Sequence, residues 1–444
     1  MTVRAWLLLL ILAATAACPL AAFQRVRLGN GLTVLVAPDD ANVVSIRAAL
    51  RITAGDEPVG QEGVRFLTQQ LLLRGTAGCS GRELAKTADA LGAVLQAGVE
   101  TDYVYLQADA PAEAMPAVLT LVSQALLQPS FPEAEVEAAK EAALRLVRPL
   151  APGAAAQAGM LAGLYGAHPY ARGESGVGPA VARLSRAAVV AFHRRCYVPE
   201  RTVVAVCGRV DVREALALAT RLLGGWAPGS SAAVCAAAPA AQPDTRPRVC
   251  ELPVSDCYLM LGFRVPGLAD ADYPALAVLN TLLGMGMGSR LYAAMRDREG
   301  LAYQVYSRQG QLLRDNYLAI TVVVPPGRLE AARQAVLAEI AQLQQSPPSE
   351  AEMLRARRYT VGTYLLDHQR NRDLARYLCW YEVLGLGYTY DERFPALVER
   401  VGAADLMRVA RQCLQRGSLS VVLPEGMAPK ENAQKPRPAR PIEP

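Results

Sequence analysis

Apolar and polar residues alternate over residues 26–36 on either side of an Asn30-Gly31 pair, a pattern that predicts a β-hairpin closed by a tight turn. A second strand is expected at 43–52. The period then changes: residues 63–73 form a helix-length apolar run. Ser80 with Glu83 makes a capping box that opens a further helix, and Gly92 ends it. Strands across 93–108 and helices at 111–127 and 132–147 complete a β-β-α-α-β-β-α-α order.

The second half repeats this grammar without residue-level identity to the first. Strands are expected at 257–265, 302–307 and 317–324, with helices at 273–283, 328–345 and from Glu350 onward, the last capped by Ser349 with Glu352. Strands grouped beside helices indicate an α+β fold. We expect two homologous domains, each an antiparallel-rich sheet with helices packed on one face. Residues 227–247 are dominated by Ala, Pro, Ser and Gly, which cannot build a core, and read as a linker. The expected boundaries are therefore 23–226 and 248–423, with a Pro/Lys/Arg-rich disordered tail at 424–444.

Residues 1–22 read as an export signal: Arg4, then an apolar stretch too short to span a bilayer, then small residues. This implies an exported, bacterial periplasmic protein. Cys18 is either the acylated cysteine of a lipoprotein or part of a signal removed near Ala22, and only a lipidated Cys18 would bring in a membrane. The nine cysteines include no C-x-x-C pair, which argues against a zinc ribbon; Cys235 and Cys250 bracket the linker at a spacing that permits a disulfide. The net charge of +5 arises from 46 basic and 41 acidic residues without a domain-sized basic block, so nucleic acid is not the expected partner.

The stretch Gly63-Val64-Arg65-Phe66-Leu67-Thr68-Gln69-Gln70-Leu71-Leu72-Leu73-Arg74-Gly75-Thr76 resembles the G-L-A-H-F-L-E-H-M-L-F-K-G-T segment of the insulinase/pitrilysin metallopeptidases. Asn30-Gly31-Leu32, Gly55-Asp56-Glu57-Pro58, His168-Pro169-Tyr170, Tyr197-Val198-Pro199 and Ser289-Arg290-Leu291-Tyr292 extend the resemblance over most of the chain. The inverted zinc motif H-x-x-E-H supplies two metal ligands from one helix face and a glutamate base for the bound water. Aligned without gaps, Phe66, Gln69 and Gln70 stand at the His, Glu and His positions. The resemblance places the third ligand at Leu146 or Val147, and no Asp or Glu occurs between Ala142 and Leu150. No metal and no catalytic residue are expected in this chain. His168, His193 and His368 are too scattered to replace them and are read as structural.

Residues 289–303 resemble the family's S-R-L-F-x-x-[VL]-R-x-x-x-G-L-A-Y segment. Gly300 suits a left-handed residue just past a helix end. The resemblance implies that Arg296 and Tyr303 bind the substrate backbone and that the tyrosine can donate to a developing oxyanion. The residues alone favour a helix-end ion pair for Arg296 and sheet packing for Tyr303. The Gly284–Gly288 run lacks the G-K-[ST] ending of a phosphate loop and is read as a tight connection. The resemblance thus implies a non-catalytic, peptide-binding subunit of a heterodimeric peptidase, with zinc in a homologous partner and unfolded peptides as substrate. The alternative is a pseudopeptidase, for instance a homodimer, that binds peptides or acts as a scaffold without a proteolytic complex.

Overall fold

The computed structural model describes residues 23–147, 151–229 and 242–427. The signal with Cys18, most of the linker with Cys235, and the tail from residue 428 lie outside the described residues.

The first sheet contains β1 (Gln24–Arg27), β2 (Thr33–Pro38), β3 (Val43–Leu50), β4 (Val94–Val99), β5 (Val104–Pro111) and β6 (Thr202–Gly208) in the order β1-β2-β6-β3-β5-β4. The second contains β7 (Arg248–Leu252), β8 (Cys257–Val265), β9 (Gln304–Gln309), β10 (Asn316–Val324) and β11 (Gly417–Pro424) in the order β7-β11-β8-β10-β9. Each sheet is antiparallel except for one parallel pair, β2 with β6 and β7 with β11. The fold is α+β with two such units, as the residue pattern predicts.

Each sheet carries helices of its own half on one face. On the first these include α1 (Val64–Leu71), α2 (Gly81–Ala90), α3 (Met115–Leu127) and α4 (Glu133–Val147). Ile46, Leu106 and Val206 from the strands meet Leu67, Leu71 and Val118 there in one fully buried cluster. The capping boxes at Ser80/Glu83 and Ser349/Glu352 form as expected.

The opposite faces are covered by exchange. Helix α5 (Pro152–Tyr165), from the first half, lies across β11 and β8 of the second sheet. There Ala156, Met160 and Leu164 join Met260, Ala319 and Val422. In return, the helix Asn371–Val383 of the second half covers β3 and β6 of the first sheet. Its Cys379 is buried in one cluster with Leu35, Ala49, Ala205 and Cys207. The α5 contact is close because two glycines four residues apart meet the strand: a Cβ on Gly159 would stand 2.3 Å from Ser420 Oγ, and one on Gly163 1.9 Å from Ser418 Oγ. The halves thus share their cores instead of meeting as separate beads.

Candidate functional site

Helix α1 starts at Gly63, whose φ of 111° favours glycine. Half-buried Glu57 caps this end: one carboxylate oxygen accepts from the amides of Gly63 at 2.9 Å and Arg65 at 3.2 Å. Burial nevertheless pushes the Glu57 carboxyl above its ordinary value, with Arg65 and the two amides opposing.

The three degenerate motif positions are all committed. Phe66 packs against the core of the first sheet. Gln69 is fully buried; its Nε2 donates to Tyr105 O at 2.5 Å and its Oε1 accepts from the Tyr197 hydroxyl at 2.7 Å. Gln70 Nε2 donates to Ala97 O of the edge strand β4 at 3.3 Å. Leu146, at the expected third-ligand region, is exposed on α4. A phenyl ring and two amides turned to main-chain carbonyls do not fit a zinc ion, and we derive no chemistry through one. Among the described residues, no group of three His, Cys, Asp or Glu side chains is placed to hold a metal.

The histidines have structural settings. His168 Nδ1 accepts from the Tyr170 amide at 3.2 Å, capping a short turn. His193 stacks on Tyr197 and pairs with Leu126 O at 2.9 Å; burial lowers its pKa to about 4, keeping it neutral. His368 bridges Asp391 at 2.7 Å and Tyr364 O at 2.6 Å.

Arg296 and Tyr303 come together at the corner leading into β9. The helix ends as a π turn (Ala293–Arg298), Gly300 takes φ 57°, and the Leu301 amide folds back to Met295 O at 2.7 Å. Arg296 Nη1 donates to Tyr303 O at 2.5 Å, and its guanidinium carbon lies 5.6 Å from the Tyr292 ring centre and 5.8 Å from that of Tyr303. Arg296 forms no ion pair among the described residues. The Tyr303 side chain stands out of the sheet, 75% exposed, instead of packing in it.

A feature not anticipated from the residues is a cavity of about 750 Å³ between the halves, lined by Glu100, Tyr103, Tyr170, Glu174, Tyr317 and Trp380 among others. Neither Arg296 nor Tyr303 lines it. The β4–β5 and β9–β10 turns meet at its wall, where Asp102 accepts from the Leu313 amide and the Tyr170 hydroxyl, both at 2.7 Å. Arg65 is buried beneath and donates to the main-chain oxygens of Glu100 and Ile52. The Glu174 side chain is exposed; desolvation by its neighbours, helped by the negative charge of Glu100, moves its carboxyl upward, to about 7. The one signal in the sequence was Arg65 itself, a charged residue where the family segment has alanine.

Comparison with known proteins gives the family and the fold. Residues 34–150 match the family described as Insulinase (Peptidase family M16), and residues 183–359 match the one described as Peptidase M16 inactive domain. The chain belongs to the insulinase, or M16, peptidase family. It is 29% identical to an uncharacterised zinc protease of Mycobacterium leprae over 74% of this chain and 75% of that protein. It is 23% identical to the zinc protease PqqE of Helicobacter pylori over 88% and 89% of the two chains. The fold is similar to that of a solved peptidase M16 inactive domain from Pseudomonas fluorescens (TM-score 0.83, 23% identity, 91% and 98% of the chains). It is also similar to a solved protease from Helicobacter pylori (TM-score 0.83, 20% identity, 90% and 99%).

Proposed function

We propose that this chain is the non-catalytic, peptide-binding subunit of a heterodimeric zinc peptidase, exported through the signal at residues 1–22. The observation that carries this reading is the commitment of Gln69. The side chain in the general-base position spends both ends of its amide on Tyr105 O and Tyr197. It has no charge with which to activate water.

The exposed Arg296/Tyr303 corner supports a remaining role in binding. A guanidinium held by the neighbouring main chain and a phenol facing solvent are donors suited to an extended peptide backbone or to an oxyanion. Zinc and the base then come from a homologous partner that retains H-x-x-E-H.

The test is to purify this chain alone, such a homologue alone, and the two together, and to follow cleavage of an unfolded peptide. Cleavage well above either subunit alone is expected only for the mixture, with a loss of about tenfold or more when Arg296 and Tyr303 are both changed to Ala. A mixture no more active than the homologue alone, with peptide still bound by this chain, would instead favour the scaffold reading.

A further inference from the structure

The loop after helix Tyr273–Gly284 leads into a second, separate pocket of about 460 Å³, lined by Ser289, Arg290, Arg298 and Arg355 together with Glu339 and Glu352. We propose that this pocket binds a phosphoryl-type oxyanion, free or carried on a nucleotide.

Two buried donors here have no partner among the described residues. Ser289 is 1% exposed and stands at an N-cap position, yet its hydroxyl accepts from no amide of the turn it opens, and its Oγ has no hydrogen bond. Arg290 uses Nε and Nη2 on the two oxygens of Glu352, at 2.7 and 3.1 Å, which leaves its buried Nη1 unpaired. Buried donors without acceptors are rare in folded proteins and mark a missing partner.

The charges in the pocket favour an anion. Glu352 is spent on Arg290 and on the cap of its own helix at Ser349, and Glu339 lies 3.3 Å from Arg298. These pairs leave Arg355 as the uncompensated charge; it makes no ion pair among the described residues. Its stem crosses Gly288 closely enough that a Cβ there would lie 3.3 Å from Arg355 Cδ and Nε. The final glycine of the Gly-Met-Gly-Met-Gly run therefore brings this guanidinium against the loop. This is not a phosphate loop built on backbone amides. A hydroxyl, one guanidinium edge and a second guanidinium line the same pocket, a donor set that suits a tetrahedral oxyanion better than a flat carboxylate.

The test is titration of the full chain with inorganic phosphate against sodium chloride at matched ionic strength, read by calorimetry and by 31P line broadening. Saturable binding with a dissociation constant on the order of millimolar is expected, weakened about tenfold in Arg355→Ala. Ser289→Ala, which removes only the hydroxyl, should weaken it as well. Adenosine monophosphate binding more tightly than phosphate would place the group on a nucleotide; equal affinity would place it on free phosphate. No saturable binding, acetate binding as well as phosphate, or unchanged affinity in both variants would overturn the proposal.

Discussion

The Tyr197 hydroxyl donates to Gln69 Oε1 at 2.7 Å, and both residues are buried. The side chain in the general-base position is thus a structural tie between α1 and the segment that follows Cys196. Burial holds the Tyr197 phenol well above its ordinary pKa, so it remains a donor.

Restoring the motif should therefore harm the protein without giving it a metal. In Gln69→Glu a carboxylate would face Tyr105 O with no donor left to offer, at a cost of about 2–4 kcal/mol in urea denaturation near neutral pH. The triple change Phe66→His, Gln69→Glu, Gln70→His should carry no stoichiometric zinc after dialysis, because no carboxylate stands in the Leu146 region. Zinc at one per chain by elemental analysis would show that a third ligand had been overlooked.

Glu174 should make stability fall as pH rises from mildly acidic to neutral, opposed over much of that range by buried His193, which the folded chain keeps neutral. The folded-state pKa of Glu174 is about 7 against an ordinary value of 4.5, so the folded chain favours the neutral acid. Its contribution is complete below the ordinary value and is lost as pH climbs through about 7. Glu174→Gln should raise the urea midpoint at pH 8 relative to pH 4, by a small amount because solvent screens this exposed carboxyl. A residual slope will remain, since burial also raises Glu100 and Asp102. Identical urea midpoints for variant and parent at pH 8 would contradict this.

The α5 contact with β11 should be intolerant of added volume. Gly163→Ala places a methyl 1.9 Å from the present Ser418 Oγ and should cost about 1–3 kcal/mol. Gly153, which has nothing within 4 Å of its Cβ position, should accept the same change with little loss. Paired thermal melts of the two variants separate packing from helix propensity.

Asp56 and Arg201 form a buried ion pair at 2.8 Å, with side chains 2% and 3% exposed. Asp56 also accepts from the Thr53 amide at 2.8 Å, fixing the turn ahead of α1. Asp56→Ala should cost about 3–5 kcal/mol, because it strands a guanidinium in the interior. A loss below about 1 kcal/mol would mean that solvent reaches Arg201 in the variant.

The residues alone determined strands β1–β5 and β8–β10 and the helices expected with them, though not β6, β7 or β11, together with the α+β class, the Gly300 turn and the chemical ruin of the zinc motif. All of these rest on local periodicity, caps or side-chain identity, which neighbours in sequence carry. Only the tertiary structure decided that α5 and the helix Asn371–Val383 change sides, that Gln69 is tied to Tyr197, and that Glu174 and Asp102 line a cavity with residues of the other half. Those depend on which apolar face covers which sheet, a choice made by the burial of the whole chain. The opposite face of each sheet needed a cover, and Gly159 and Gly163 let a distant helix come close enough to supply one.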